Sequence, residues 1–189
     1  MYEKIDPIIY SISPVSIKSI GKIKDLVKFI TIKKGELITT VGQHNNLEYF
    51  MIEGTCKSFL YTPKGEDVTI SFFMSGSIIS PNTTRNKEGK SIINIRALTD
   101  VELATINAEE FEKLMVDDLD VRHFGNEVLR NELMEKVQKE IALASLKGKD
   151  RLLLLRGNFP NIENLVPHSD IASYLGITTI SLSRLRTQS

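Results

Sequence analysis

The sequence predicts an α+β chain in three parts: a β-rich N-terminal domain, one long helix and a small helical unit at the C-terminus. Three observations carry this reading. Short strand-like runs separated by glycine turns fill the stretch from Lys28 to about Ile106. The apolar period then changes to three or four residues over roughly Leu119 to Leu146. Finally, "SDIASYLGITTISLSRLR", Ser169 to Arg186, reads as two short helices around a glycine. The resulting boundaries are 1–118, 119–147 and 148–189.

Composition sets the frame. The 189 residues suffice for a medium domain plus a small one, and 41% hydrophobic with 25% charged residues is the balance of a soluble globular protein. The net charge of zero gives no sign of a polyanionic partner for the molecule as a whole. From Ser145 onward, however, six basic residues face three acidic ones, as a basic C-terminal module requires. Cys56 is the only cysteine, so no intrachain disulfide forms, which suits a reducing cytoplasm. Its apolar neighbours predict a buried, inert thiol. No apolar run approaches the ~20 residues that span a bilayer. The start, "MYEKIDPIIYSISP", lacks the basic n-region and long apolar core of a signal peptide. A cytoplasmic protein with no membrane partner is expected.

Taken in order, residues 14–28 suggest a short helix, with Ser13 as N-cap and Pro14 at the first helical position. "KFITIKKGELITTVG" alternates and breaks at Gly35 and Gly42. "YFMIEGTCKSFLYTPKGEDVTISFFMSGSII" holds three strand-like runs, punctuated by Glu53-Gly54, Pro63-Lys64-Gly65 and Ser75-Gly76. "SIINIRALTDVELATI" gives two more. This spacing fits a β-sandwich, jelly roll or barrel. "NAEEFEKLM" is a helix capped by Asn107, with Glu109 and Glu110 favourably placed in its first turn.

The long helix carries Val121, Phe124, Val128, Leu129, Leu133, Val137, Ile141 and Ala144 at helical spacing. That stripe either packs on its own β-domain or forms a seam with a second copy of the chain. At ~40 Å, from 1.5 Å per residue, the helix outreaches a domain of this size, which favours the seam. "DRLLLLRGNFP" makes one more helix, and a loop through 161–166 leads to Pro167.

In the terminal unit Ala172 is small where a second helix crosses, and Gly176 supplies the positive φ of a tight turn. Thr178 caps the next helix. Ile171, Leu175, Ile177, Leu182 and Leu185 face inward, leaving Thr179, Ile180, Ser183, Arg184 and Thr187 outside. This is the helix-turn-helix pattern, whose second helix enters the DNA major groove. Arg184 can reach a guanine edge bidentately or pair with a phosphate. Thr178, Thr179 and Ser183 can bond bases or phosphates, Ile180 can meet a thymine methyl, and Arg186 and Lys149 are backbone-contact candidates. So small a unit holds few phosphates, so specificity requires two copies, hence a homodimer on double-stranded DNA.

The order of parts resembles the superfamily of the cyclic-AMP receptor protein and the fumarate-nitrate regulator, from about Ser13 to the end. "KKGELITTVGQ", "YFMIEGTCKSFL", "KGEDVTISFFMSGSII" and "IRALTDVELATI" are similar to its β-roll segments, and "DIASYLGITTISLSRLR" to its DNA-reading unit. The resemblance implies a cyclic-nucleotide-binding-like jelly roll, a dimerisation helix, a winged-helix-like domain, homodimeric transcription regulation and RNA polymerase as a further partner. The sequence ends just after the recognition helix, so wing strands that follow it in the family have no counterpart. The implied effector pocket would involve Gly76, Ser80, Pro81, Arg85, Ser91, Ile92 and Lys136. Here the sequence departs from the family. Ser80-Pro81 replaces the Gly-Glu pair that holds the ribose, and Ser91-Ile92 replaces the Arg-Ser pair that grips the cyclic phosphate. Lys136-Val137 stands where a Thr-Ser pair meets the purine. Proline lacks a backbone donor and Ile92 offers phosphate nothing; no cyclic nucleotide or other cofactor is expected, and the pocket either takes a different small molecule or is vestigial. Ile180 also replaces an acidic residue that accepts from cytosine in many members, implying a different operator.

Enzymatic readings lack support. One cysteine cannot ligate an iron–sulfur cluster that needs four thiolates. His44, His123 and His168 are spread over three predicted elements, and His44 with Glu48 only loosely resembles a metal-binding cupin motif. No metal site and no catalysis are expected. The alternative to a DNA regulator is an effector-binding sensor or adaptor that uses the tail for protein contacts.

Overall fold

A computed structural model describes residues 2–187. After a single 3-10 turn, α1 (Ile5–Ile12) and α2 (Ile17–Asp25) precede the strands. These are β1 (Lys28–Ile32), β2 (Leu37–Thr39), β3 (Leu47–Glu53), β4 (Thr55–Tyr61), β5 (Asp67–Met74), β6 (Ile78–Ile79), β7 (Asn94–Ala97) and β8 (Val101–Asn107). There follow α3 (Ala108–Asp117), α4 (Leu119–Ser145), α5 (Gly148–Asn158), α6 (Ile162–Leu165), α7 (His168–Leu175) and α8 (Thr179–Thr187).

The strands form two four-stranded antiparallel sheets, ordered β1-β8-β3-β6 and β2-β7-β4-β5. Tyr49, Met51, Cys56, Ile95 and Leu103 fill the space between them. On β3 the alternate residues Phe50 and Ile52 point the other way, into a second core beneath the helices. A strand buried on both faces explains why "YFMI" is a continuous apolar run. The helix-side core gathers Ile5, Ile9, Ile20, Ile23, Phe111, Val121 and Phe124. A third core holds the C-terminal unit and reaches Phe72 and Leu98 of the roll. Cys56 is buried, and burial pushes its thiol up to about 12. Gly54, at φ +101°, links β3 to β4 where a Cβ would lie 2.4 Å from the Asp100 carbonyl oxygen, so no other residue fits this turn.

Several elements differ from the expectation. The first residues form α1, because Ile5, Ile8 and Ile9 share one buried face and Pro7 lies in the first turn, where a helix has no use for its N–H. The following helix is capped by Ser16, not Ser13; the Ser16 side chain accepts from Ser19 N–H. The stretch from Tyr49 to Ile79 holds four strands rather than three, because the short β6 follows the expected break at Ser75-Gly76, where Gly76 stands at φ +94°. The short α6 lies within the expected loop. Asn107 caps α3 and Asp118 caps α4, each accepting two backbone N–H groups.

Candidate nucleic-acid interface and effector pocket

Local chemistry builds the α7–α8 corner. Gly176 takes the left-handed conformation at φ +65°, and the N–H of Ile177 returns to the Ala172 carbonyl at 3.0 Å. Ala172 is buried, so α8 crosses close above it. The Thr178 hydroxyl accepts from Ser181 N–H at 3.1 Å and caps α8. Ile171, Leu175 and Leu182 are buried, and Ile177 and Leu185 pack partly buried against them. Thr178, Thr179, Ile180, Ser183, Arg184 and Thr187 are all exposed, Ile180 at 66%. The Arg184 guanidinium meets no side chain among the described residues. Lys149 is exposed in the first turn of α5, next to Gly148, which touches Leu185 and Ile177.

Arg186 departs from its expected role. Its Nε lies 2.9 Å from Glu163 Oε1 and its NH1 3.2 Å from His168 Nδ1, while Arg156 holds the other Glu163 oxygen at 2.7 Å. The Arg156 hydrogen bond, with Arg186 in support, keeps the Glu163 carboxyl below the usual carboxylate range. Arg186 therefore ties α8 to α6 and α7 rather than standing free for a phosphate.

The opposite face of the unit docks on the roll. Lys57 of β4, its side chain 3% exposed, lies 2.7 Å from Asp67 of β5 and 2.9 Å from Asp170 of α7. Ser173 Oγ accepts from Thr69 N–H at 2.9 Å, and Phe72, Phe159 and Tyr174 form an aromatic cluster. The Lys139 ammonium of α4 sits 3.8 Å over the Tyr174 ring, and burial draws it down to about 8. A cleft of about 460 Å³ opens beside this contact, between the roll and the α6–α7 connection. None of these docking residues was singled out from the sequence. An isolated lysine in a strand reads as a solvated residue until the helix that covers it is known.

The effector region divides the expected residues. Ser80, buried, caps a one-turn 3-10 helix over Pro81–Thr83 and donates from Oγ to Glu48 Oε1 at 3.2 Å. Both Ser80 and Glu48 line a cavity of about 80 Å³, closed by Phe50, Phe111, Met115, Phe124 and Val128. Burial raises the Glu48 carboxyl to about 7, with Ser80 and Arg85 opposing and Glu132 and Glu112 reinforcing. Pro81 is buried at the start of that turn. The remaining expected residues do not line this cavity. Gly76 lies in the exposed β5–β6 turn and Ile92 is exposed. The Ser91 hydroxyl donates to the backbone carbonyls of Ile93 and Thr84. Arg85 serves Asn46, Asn82 and the Asn45 carbonyl, and pairs with Glu112 at 3.6 Å. Lys136 pairs with Glu132 at 2.8 Å, one turn earlier on α4.

The proposed seam also divides. Val121, Phe124 and Val128 belong to the chain's own core, a correction to their assignment as dimer contacts: α1, α2 and α3 cover this half of α4 before any partner can. Leu129 lines the cavity. Leu133, Val137 and Ile141 are exposed at 62%, 39% and 58%, with Met134 beside them.

His44, His123 and His168 are exposed, and no cluster of metal-ligating side chains exists among the described residues. No described helix is long and apolar enough to cross a membrane.

Residues 29–118 match the family described as the cyclic nucleotide-binding domain. The matched stretch takes in the eight strands and α3. Among solved structures, the chain is similar to FixK2 from Bradyrhizobium japonicum (TM-score 0.74, 18% identity, covering 86% of this chain and 83% of that one). It is also similar to CLP from Xanthomonas campestris, a c-di-GMP-responsive global regulator (0.70, 16%, 92% and 91%). A third likeness is to a chain from Eubacterium rectale assigned to the crp/fnr family of transcriptional regulators (0.68, 17%, 90% and 82%). No curated protein matches the sequence. At these identities the likeness establishes a shared fold over 86–92% of this chain.

Proposed function

We propose that this protein is a sequence-specific DNA-binding transcription regulator that acts as a homodimer in the cytoplasm, without enzymatic activity. One observation carries the reading. The α8 face bearing Thr179, Ile180, Ser183 and Arg184 stands free in solvent, while the face of α7 that cannot read DNA is spent on the roll. A helix-turn-helix whose second helix keeps an uncommitted arginine and hydroxyls outward has the chemistry of major-groove readout. Thr178 and Lys149 flank that face and supply further contacts. The exposed strip Leu133, Val137 and Ile141 supports pairing of two chains along α4.

The roll serves as the effector domain, and its effector is not a cyclic nucleotide. Ser91 and Arg85 are committed to their own neighbours, and the buried carboxylate at the cavity would face the cyclic phosphate with like charge.

The test begins with selection of genomic fragments on the purified chain. Binding to the selected duplex should weaken steeply with added salt. Arg184→Ala should lower affinity by roughly 5- to 150-fold, the equivalent of ~1–3 kcal/mol, with fold and oligomeric state intact. A salt-insensitive interaction, or unchanged affinity in Arg184→Ala, favours an adaptor that uses the tail for protein contacts.

A further inference from the structure

Glu48 is an unusual side chain for this core. It is 5% exposed, its Oε1 receives Ser80, and among the described residues its Oε2 accepts no hydrogen bond. It lines the 80 Å³ cavity, whose other walls are Phe50, Phe111, Phe124 and the Met115 side chain. Phe124 stacks with Phe50 and meets Phe111 edge-on, each at 6.3 Å between ring centres. The nearest guanidinium, Arg85, is spent on three asparagines and on Glu112 at the rim. On the α4 side, Glu132 lies outside the cavity lining; its Oε2 is buried without a partner and its other oxygen holds Thr83 and Lys136. A carboxylate as buried as Glu48 carries a desolvation cost that an incoming cation would offset.

We propose that this cavity is a binding site for a primary alkylammonium group, which places its charge on Glu48 and its carbons among the phenylalanine rings. A carboxylate at the base supplies the counter-ion and hydrogen-bond acceptor, and ring faces attract the cation while matching the apolar stem. At roughly 30 Å³ per water-sized group, the space admits about three non-hydrogen atoms, an ammonium with a two-carbon stem. Any longer amine would extend past Glu112 at the mouth. Such a ligand is the reverse in charge of a cyclic nucleotide. Its role as effector rests on the regulator reading above; its binding does not. Because α3 and α4 both wall the cavity, occupancy would bias how the long helix sits on the roll.

The test is calorimetric titration of the full chain, without DNA, using ethylammonium chloride. The charged groups acting on Glu48 are Arg85 from the loop, Glu112 from α3 and Glu132 from α4; pH 8 keeps Glu48 ionised among them. The expected result is saturable binding with a dissociation constant in the roughly millimolar range allowed to three heavy atoms. Affinity should fall about tenfold at pH 6, where Glu48 is mostly protonated. Sodium propionate at equal ionic strength should show no binding, a selectivity read on the unmodified chain. Glu48→Gln, which keeps the shape and removes the charge, should lose at least about tenfold. No saturation by 100-millimolar-scale ethylammonium, equal binding of propionate, or undiminished binding in Glu48→Gln would overturn the proposal. Failure of the DNA selection would leave all of these readings unaffected.

Discussion

The two halves of α4 share one helical period and have opposite fates. In the first half Val121, Phe124, Gly125 and Val128 are buried under α1, α2 and α3; in the second, Leu133, Met134, Val137 and Ile141 lie open. Capping fixes where the contrast begins. Asp118 accepts from Asp120 and Val121 N–H, and is itself held by Lys22 at 2.6 Å and Ser19 at 3.0 Å, so the start of the helix is locked to α2. Gly125 completes the close approach, since a Cβ there would lie 2.7 Å from the Met115 methyl. Beyond Leu129 the helix still meets its own chain through Glu132, which holds Thr83, and Lys139, which reaches the Ile70 carbonyl, while Leu133, Met134, Val137 and Ile141 stay exposed. The difference teaches that the same spacing serves folding in one half and leaves an exposed apolar strip in the other.

The comparison breaks first at Phe124. Phe124→Ala removes a ring packed between Phe50 and Phe111 and should cost about 3–5 kcal/mol in urea unfolding. A cost under about 1 kcal/mol would show that the first half is not part of the chain's core. Acid offers a gentler probe of the same anchor. The Lys22 hydrogen bond holds the Asp118 carboxyl down to about 2, below its ordinary value of 3.8. The unfolded chain therefore binds this proton more readily, so the contribution is present above about pH 4 and is lost as pH falls toward 2. The unfolding midpoint should drop across that window, and Asp118→Asn should flatten the drop; an equal slope in the variant would separate Asp118 from the anchor.

Legibility in the sequence follows the range of the interactions. The α7–α8 corner was readable because Ala172, Gly176 and Thr178 all lie within seven consecutive residues. The strands were readable through glycine punctuation, including the Gly54 turn. The docking of α7 was not, because Lys57 meets Asp170 across 113 positions. Nor was the pairing of Glu48 with Ser80, 32 positions apart, which turns an implied anion site into one with a buried carboxylate. Arg186 looked like a phosphate contact because one strand of sequence does not show Glu163 beneath it. The stripe on α4 was visible in full, yet periodicity says only that a face is covered and never by what.

The smallest effect on folding and the most telling on function belongs to Leu133. Leu133→Asp, at an exposed position, should leave unfolding within about 0.5 kcal/mol of the parent chain when both are diluted to monomers. If two chains pair along the open half of α4 to present two copies of α8, the decisive measurement is the mass and duplex affinity of this variant by sedimentation. The account predicts a folded monomer that has lost at least roughly a hundredfold in affinity for the selected duplex, because single half-site contacts remain. A Leu133→Asp chain that still sediments as a dimer and still holds that duplex would contradict it.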